Sequence, residues 1–373
     1  MKKKHKLRAD FRKHHESRTR ENDLTRKFAE TGEQTEADRN ERVSGKGKLT
    51  RKRTLVGGEL SADDSGAIVL PEIDREICIA GRVLRVQGLI SQVACDDGQQ
   101  RACATRRLLK QLTTDVRHVV AAGDRVWVRP EGAAEGIIER VEPRYGVLSR
   151  TSKGRQHLIV ANIDQVLIVT SAAEPRLKPH LVDRYLVVAE KTGIAPVICI
   201  NKIDLVEPAD LVPLIGVYSQ LGYEVAPVSA TTGFGVERLR ARLTGKASVL
   251  TGQSGVGKSS LLNAIEPGLA VRVQTVSAET QKGRHTTTTA ELFPLECGGF
   301  VVDTPGIRQF ALWDVIPAEV AGFFRELRPY VCQCRYPNCT HTHEDMCAVK
   351  SAVADGRIDT RRYESYLQMH DGE

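Results

Sequence analysis

"ICINKIDL", Ile198 to Leu205, reads as an apolar strand ending in N-K-x-D, and "TGQSGVGKSS", Thr251 to Ser260, reads as G-x-x-x-x-G-K-[ST]. The Asp of the first motif can accept hydrogen bonds from guanine N1–H and N2–H2, a donor pair that adenine lacks. A site built around such an acceptor rejects the wrong base strongly. The Lys stem can pack along a base plane, and the Asn can brace neighbouring loops. In the second motif, backbone N–H groups curl around phosphate oxygens and a helix N-terminus adds its dipole. The base reader here precedes the phosphate loop, which inverts the usual order. Either one match is accidental or the domain is wired differently.

The neighbouring sequence decides between these. "QVLIVTSA", "PVICINKID", "EVAPVSA" and "ASVLTG" are apolar strands separated by the helical stretches "HLVDRYLVVAEKTG", "ADLVPLIGVYSQLG" and "GVERLRARLTG". Strands buried on both faces that alternate with helices predict a doubly wound parallel sheet. Both motifs stand at strand ends, "VSA" (Val228 to Ala230) ends another strand, and "SSLLNAIE" supplies the helix after the phosphate loop. "FVVDTPG" closes a further strand on Asp303, with Gly306 three residues on, and no second N-K-x-D follows. A sheet does not depend on which loop the chain visits first, so joining the old termini and opening the chain elsewhere leaves a site intact. The order is that of a circularly permuted GTPase.

The candidate nucleotide ligands follow. Asn201, Lys202, Asp204, Ser229 and Ala230 face the base; Gly252, Gln253, Ser254, Gly255, Val256, Gly257, Lys258, Ser259 and Ser260 wrap the phosphates. Lys258 would reach the β- and γ-phosphates and take part in catalysis, and the Ser259 hydroxyl would ligate Mg2+. Asp303 would hold the Mg2+ through water, and the Gly306 N–H would sense the γ-phosphate. Many GTPases place a Gln after D-x-x-G to orient the attacking water, but Ile307 stands there and its apolar side chain cannot do so. "KGRHTTTT" offers His285, whose pKa lies naturally near neutrality, as the group that orients water. Its alternative role is as a solvent-exposed or RNA-contacting residue of a mobile loop. One of the adjoining threonines would ligate Mg2+.

Composition bounds the rest. The chain has 373 residues, 41% hydrophobic and 27% charged, and a formal net charge of +7. Residues 1–60 hold 18 Lys or Arg against 10 Asp or Glu, which leaves the remainder near neutral. A basic arm of this kind suits either contact with a polyanion or a solvated tail. Residues 1–70 are expected to be mostly disordered. Between about residues 75 and 150, short β-like runs such as "CIAGRVLRVQ" and "RVWVRP" predict a small barrel of the oligonucleotide-binding kind. Its excess of 13 basic over 9 acidic residues is a weak sign of RNA binding. No apolar run reaches membrane-spanning length, and the basic start lacks the apolar stretch of a signal peptide, so a cytoplasmic protein with no membrane partner is expected. Nine cysteines in such a protein argue for thiols or metal ligands. "CQCRYPNCTHTHEDMC" crowds Cys332, Cys334, Cys339 and Cys347 beside His341 and His343, enough for a tetrahedral site with no open position.

Taken together, "NKID", "TGQSGVGKSSLLN", "GRHTTTT", "DTPGIRQFALW" and the cysteine cluster resemble the circularly permuted ribosome-associated GTPases of the RsgA or YjeQ type, small-subunit biogenesis GTPases, over roughly residues 75–370. The resemblance implies an OB-fold barrel (75–150), a circularly permuted P-loop GTPase domain (155–312) and a helical zinc-binding C-terminal domain (313–373). It selects Thr287 for Mg2+, with Thr286 as alternative, and Cys334, Cys339, His341 and Cys347 for one structural Zn2+. It implies a monomer that binds GTP and GDP, the 30S subunit and 16S rRNA, and acts late in 30S maturation with subunit-stimulated hydrolysis. Other readings are a GTP-binding switch or scaffold module for a protein partner, and an ATP-using kinase with a fortuitous "NKID".

Overall fold

The computed structural model describes residues 6–10, 52–56, 58–63, 66–106, 109, 119–152, 155–269, 290–303 and 315–372. His285, Thr286, Thr287, Gly306 and Ile307 lie outside them. Within the basic arm, β1 (Lys6–Asp10) pairs antiparallel with β2 (Lys52–Val56), and β3 (Gly58–Asp63) with β4 (Gly66–Pro71). The segment expected to be mostly disordered includes these two short ladders, where "RTLV" and "AIVL" supply the β-forming residues.

Five strands then close into a barrel in the order β5-β6-β7-β9-β8. They are β5 (Ile79–Gln87), β6 (Ile90–Cys95), β7 (Gln100–Thr105), β8 (Arg125–Pro130) and β9 (Glu135–Val141). Alternating residues point inward, so Val83, Val93, Cys103, Val126, Val128 and Ile138 fill the interior. An antiparallel ribbon, β10 (Leu148–Ser152) with β11 (Arg155–Val160), leads out of the barrel. The barrel is seated on the next domain through Arg82, which donates to Asn162 O and lies 5.0 Å from the Phe300 ring.

The central sheet is built from β12 (Gln165–Ser171), α1 (Pro179–Thr192), β13 (Ala195–Asn201), α2 (Pro208–Gln220), β14 (Glu224–Pro227), α3 (Val236–Leu243), β15 (Ala247–Thr251), α4 (Lys258–Ile265), β16 (Glu291–Pro294) and β17 (Phe300–Asp303). Strand order is β14-β13-β12-β15-β17-β16, parallel except for β16 at one edge. Every residue of β12 is buried, as expected for a strand covered on both faces. The chain steps outward from β12 to β13 and β14, then returns to add β15 on the other side. That reversal leaves a crevice outside the carboxyl ends of β12 and β15, the place where open α/β sheets bind ligands.

After β17, the helical turns α5 (Val320–Phe323) and α6 (Arg328–Val331) precede α7 (Ala348–Ala354) and α8 (Thr360–His370). Their core gathers Phe324, Leu327, Val349, Ile358, Tyr366 and Met369, together with Val187 from α1. The C-terminal core thus includes a residue of the sheet domain. Among the described residues no helix is long and apolar enough to cross a membrane.

Candidate nucleotide site and metal cluster

β15 delivers the phosphate loop to the crevice. Gly252 has φ +141°, and a Cβ there would stand 2.0 Å from Val169 O of β12, so only glycine lets the loop leave the sheet at this point. Gly257 caps α4 with φ +87°. The Lys258 ammonium donates to Gly252 O at 2.8 Å and Gln253 O at 2.7 Å, which holds it across the mouth of its own loop. Ser254, Gly255, Ser259 and Ser260 are exposed on the rim and Val256 is buried beneath it.

β13 delivers N-K-x-D to the same edge. Asn201 is 1% exposed; its Nδ2 donates to Val256 O at 3.0 Å, and its Oδ1 accepts from Ala230 N at 3.2 Å. One amide thus joins the phosphate loop to the loop after β14, although 55 residues separate Asn201 from Val256 in sequence. Ser229 is fully buried and its Oγ accepts from Thr232 N, which shapes that loop. Lys202 adopts the left-handed conformation, φ +61°, and its Nζ donates to Gly255 O at 2.9 Å and to Glu174 O. Asp204 sits exposed in the 3-10 turn Ile203–Leu205. Asp303 is the last residue of β17, whose strand lies beside β15.

The structure therefore brings Asn201, Lys202, Asp204, Ser229, Ala230 and residues 252–260 to one edge, with the end of β17 alongside. Sequence reasoning missed the loop after β12, whose Glu174 carbonyl accepts from Lys202. A main-chain acceptor in a loop leaves no side-chain signature, so nothing in the text could have marked it.

The second cluster lies in the C-terminal domain. Ligand atoms of Cys334, Cys339, His341 and Cys347 all fall within 4.8 Å of one another. Cys334 Sγ is 3.4 Å from His341 Nδ1 and 3.8 Å from Cys347 Sγ. Cys332 is exposed and His343 Nδ1 contacts the Thr342 hydroxyl, so neither joins the four. Burial lowers the His341 pKa and keeps its imidazole neutral, as ligation requires. Burial pushes the Cys339 thiol up to about 12, a group that ionises at neutral pH only beside a cation. Three thiols and one neutral imidazole at this spacing fit a four-coordinate soft or borderline metal ion. Glu344 pins the loop: its carboxylate accepts from Thr340 N at 2.7 Å, Thr340 Oγ1 at 2.6 Å and Thr342 N at 3.1 Å.

Comparison with known proteins gives the same assignment. The family model described as RsgA GTPase matches residues 141–313. The chain is 41% identical over 296 residues to the small ribosomal subunit biogenesis GTPase RsgA of Gemmatimonas aurantiaca, covering 78% of this chain and 96% of the relative. The RsgA of Thermotoga petrophila is 43% identical over 253 residues, covering 67% and 82%. Among solved structures, YjeQ from Thermotoga maritima aligns with a TM-score of 0.64 at 37% identity, covering 79% of this chain and 98% of that one. YloQ, described as a circularly permuted GTPase, aligns with a TM-score of 0.62 at 26% identity, covering 80% and 97%. With a base reader that precedes the phosphate loop in the chain yet is bonded to it, and relatives matched over 82% to 98% of their length, the chain belongs to the RsgA GTPase family of GTP-hydrolysing enzymes.

Proposed function

We propose that this protein hydrolyses GTP in the late maturation of the small ribosomal subunit, as a cytoplasmic monomer that binds 16S rRNA and turns over when docked on the 30S particle. The observation that carries the nucleotide reading is the Asn201 amide, which bonds both Val256 O of the phosphate loop and Ala230 N. In this reading Asp204 selects guanine, Lys202 packs along the base, and Ser229 and Ala230 complete the base pocket. Residues 252–260 bind the phosphates, with Lys258 drawing charge from the transferred group. Ser259, Thr287 and Asp303 are the residues that would hold Mg2+, which neutralises charge on the β- and γ-phosphates when bound. Gly306 senses the γ-phosphate. Because Ile307 replaces the usual glutamine, His285 orients the attacking water, and the subunit brings it into place.

Cys334, Cys339, His341 and Cys347 would hold one Zn2+, which acts as a cross-link because all four positions are protein ligands. The zinc domain, the barrel and the basic arm present the RNA-facing surfaces.

The test is GTP turnover by the full chain with and without purified 30S subunits, alongside guanine and adenine nucleotide binding. The expected result is guanine-selective binding and a rate that rises by orders of magnitude with 30S, as partner-supplied groups do for other GTPases. Guanine binding with a rate indifferent to 30S would make the protein a nucleotide-controlled switch module instead.

A further inference from the structure

The metal loop and the phosphate loop are joined through two helices, and the joint is a buried ion cluster. On one side α8 clasps the metal loop: the Tyr363 hydroxyl donates to His341 O at 2.6 Å and the Tyr366 hydroxyl to Thr340 O. The neighbouring Arg362 reaches the other way, into the sheet domain. Its side chain is 3% exposed and pairs with Asp183 of α1, which is fully buried. Its Nε donates to Glu326 Oε1 at 2.6 Å, and its guanidinium lies 4.6 Å from the Phe324 ring centre. The Tyr218 hydroxyl of α2 donates to Asp183 at 2.8 Å. Two turns further along α1, Glu190 accepts from Arg325 and Arg328, each at 2.7 Å.

Asp183, Val187 and Glu190 thus form the face of α1 turned to the C-terminal domain. The adjoining face looks at the nucleotide loops. Leu181, Val182 and Tyr185 line a small cavity together with Gln253 and Val256 of the phosphate loop. Helix α1 therefore meets the phosphate loop through one face and α8, which holds the metal loop, through another.

We propose that α1 and α8 form a link through which Zn2+ at Cys334, Cys339, His341 and Cys347 and guanine nucleotide at the phosphate loop strengthen each other's binding, separately from the chain connection through residues 304–314. The proposal rests on the nucleotide and zinc readings above. The physical reason lies in the charge at the joint. A buried carboxylate is tolerated while its cation is in place, and withdrawal of one partner leaves an uncompensated charge. Burial already holds Asp183 above the ordinary carboxylate range even with Arg362 beside it. Without metal, the loop carrying the Tyr363 and Tyr366 acceptors loses its cross-link, α8 opens locally and Arg362 withdraws. Asp183 must then find water or a proton, and the helix that walls the phosphate loop shifts with it. Coupling of this kind is reciprocal.

The test measures the dissociation constant of a fluorescent GDP for the full chain at fixed excess Mg2+, zinc-loaded or stripped by a zinc-selective chelator. The expected result is a loss of affinity of about 5- to 10-fold on stripping, with the same factor gained in Zn2+ affinity when GDP saturates the protein. In the triple variant Asp183→Asn, Glu326→Gln, Arg362→Met, which removes all three charges, the factor is expected to fall within about twofold of unity while one zinc is still bound. A wild-type factor within about twofold of unity overturns the link, as does a triple variant that keeps the full factor. If the triple variant fails to bind zinc, Glu190→Gln decides, further along the same face of α1, where its partners Arg325 and Arg328 are partly exposed: an undiminished factor there overturns the route through α1. Zinc-loaded wild type that binds no GDP would overturn the nucleotide reading instead, and wild type that binds no zinc the metal reading.

Discussion

The Asn201 side-chain nitrogen stands 2.5 Å from the point where a Cβ on Gly257 would sit. The base reader and the phosphate loop, inverted in the chain, are therefore in van der Waals contact in space. The sheet explains how: β13 and β15 flank β12 on opposite sides, and all three run parallel, so their carboxyl ends meet at one edge. Gly257→Ala would drive a methyl group into the Asn201 amide at φ +87°. Residues held in that region cost on the order of 1–3 kcal/mol, before the clash is counted. The expected outcome is a fall in GDP affinity of at least about tenfold with the circular dichroism spectrum unchanged. Affinity close to wild type in a fluorescence titration would mean that the loop does not need this close approach.

Asp204 carries the guanine selection in the proposed reading, and its side chain is exposed in the one-turn 3-10 helix Ile203–Leu205. Asp204→Asn should therefore leave thermal stability alone. Hydrogen bonds to a charged acceptor contribute about 1.5–3 kcal/mol, so GTP affinity should fall by roughly 10- to 150-fold. ATP binding should not fall with it, and parallel titration with the two nucleotides checks the difference. Equal losses for both would place Asp204 in folding rather than in selection.

Much of this site was legible because each motif is tied to a strand end. "PVICI", "ASVLT" and "FVVD" are apolar runs that read as buried strands, and the motif residues Asn201, Gly252 and Asp303 lie at or next to their carboxyl ends. The four candidate metal ligands are crowded in sequence, so their spacing already limited the choice, and Cys332 and His343 fall outside the group whose ligand atoms lie together. The joint at Asp183 and Arg362 could not be read. The two are 179 residues apart on helices of different domains, and on each helix a charged residue looks like an ordinary solvated position. Only packing reveals that both are buried. The Glu174 carbonyl escaped for a related reason, since main-chain acceptors depend on loop conformation and not on residue type.

His285 lies in the segment between the phosphate loop and D-x-x-G, and its proposed task is to orient water. His285→Ala should abolish the 30S-stimulated rate while GDP and GTP affinities stay within about twofold of wild type, because a water-orienting group acts in the transition state. General acid–base and orienting groups of this kind contribute about 10²- to 10⁴-fold. Single-turnover hydrolysis on the 30S particle measures the loss directly. A matching loss of nucleotide affinity would assign the residue to binding instead.

Glu344 offers a test of the metal loop that leaves every ligand in place. Burial would raise its carboxyl, but the bonds from the Thr340 hydroxyl, the Thr340 N–H and the Thr342 N–H more than reverse this and hold it well below the ordinary carboxylate range. A depressed acid contributes stability above its unfolded pKa and loses it as pH falls through the folded value. The contribution is therefore complete at neutral pH and begins to fade only below about pH 4. Glu344→Gln keeps one acceptor oxygen and loses the charge, at a cost of roughly 1–2 kcal/mol. The zinc-loaded variant should melt a few degrees lower than wild type, by a gap that stays constant from pH 5 to pH 8 even though zinc release itself grows toward acid as thiolates and His341 take up protons. Scanning calorimetry across that range checks it. A gap that opens or closes between pH 5 and pH 8 would mean that Glu344 titrates there, and that its hydrogen bonds do not hold it ionised.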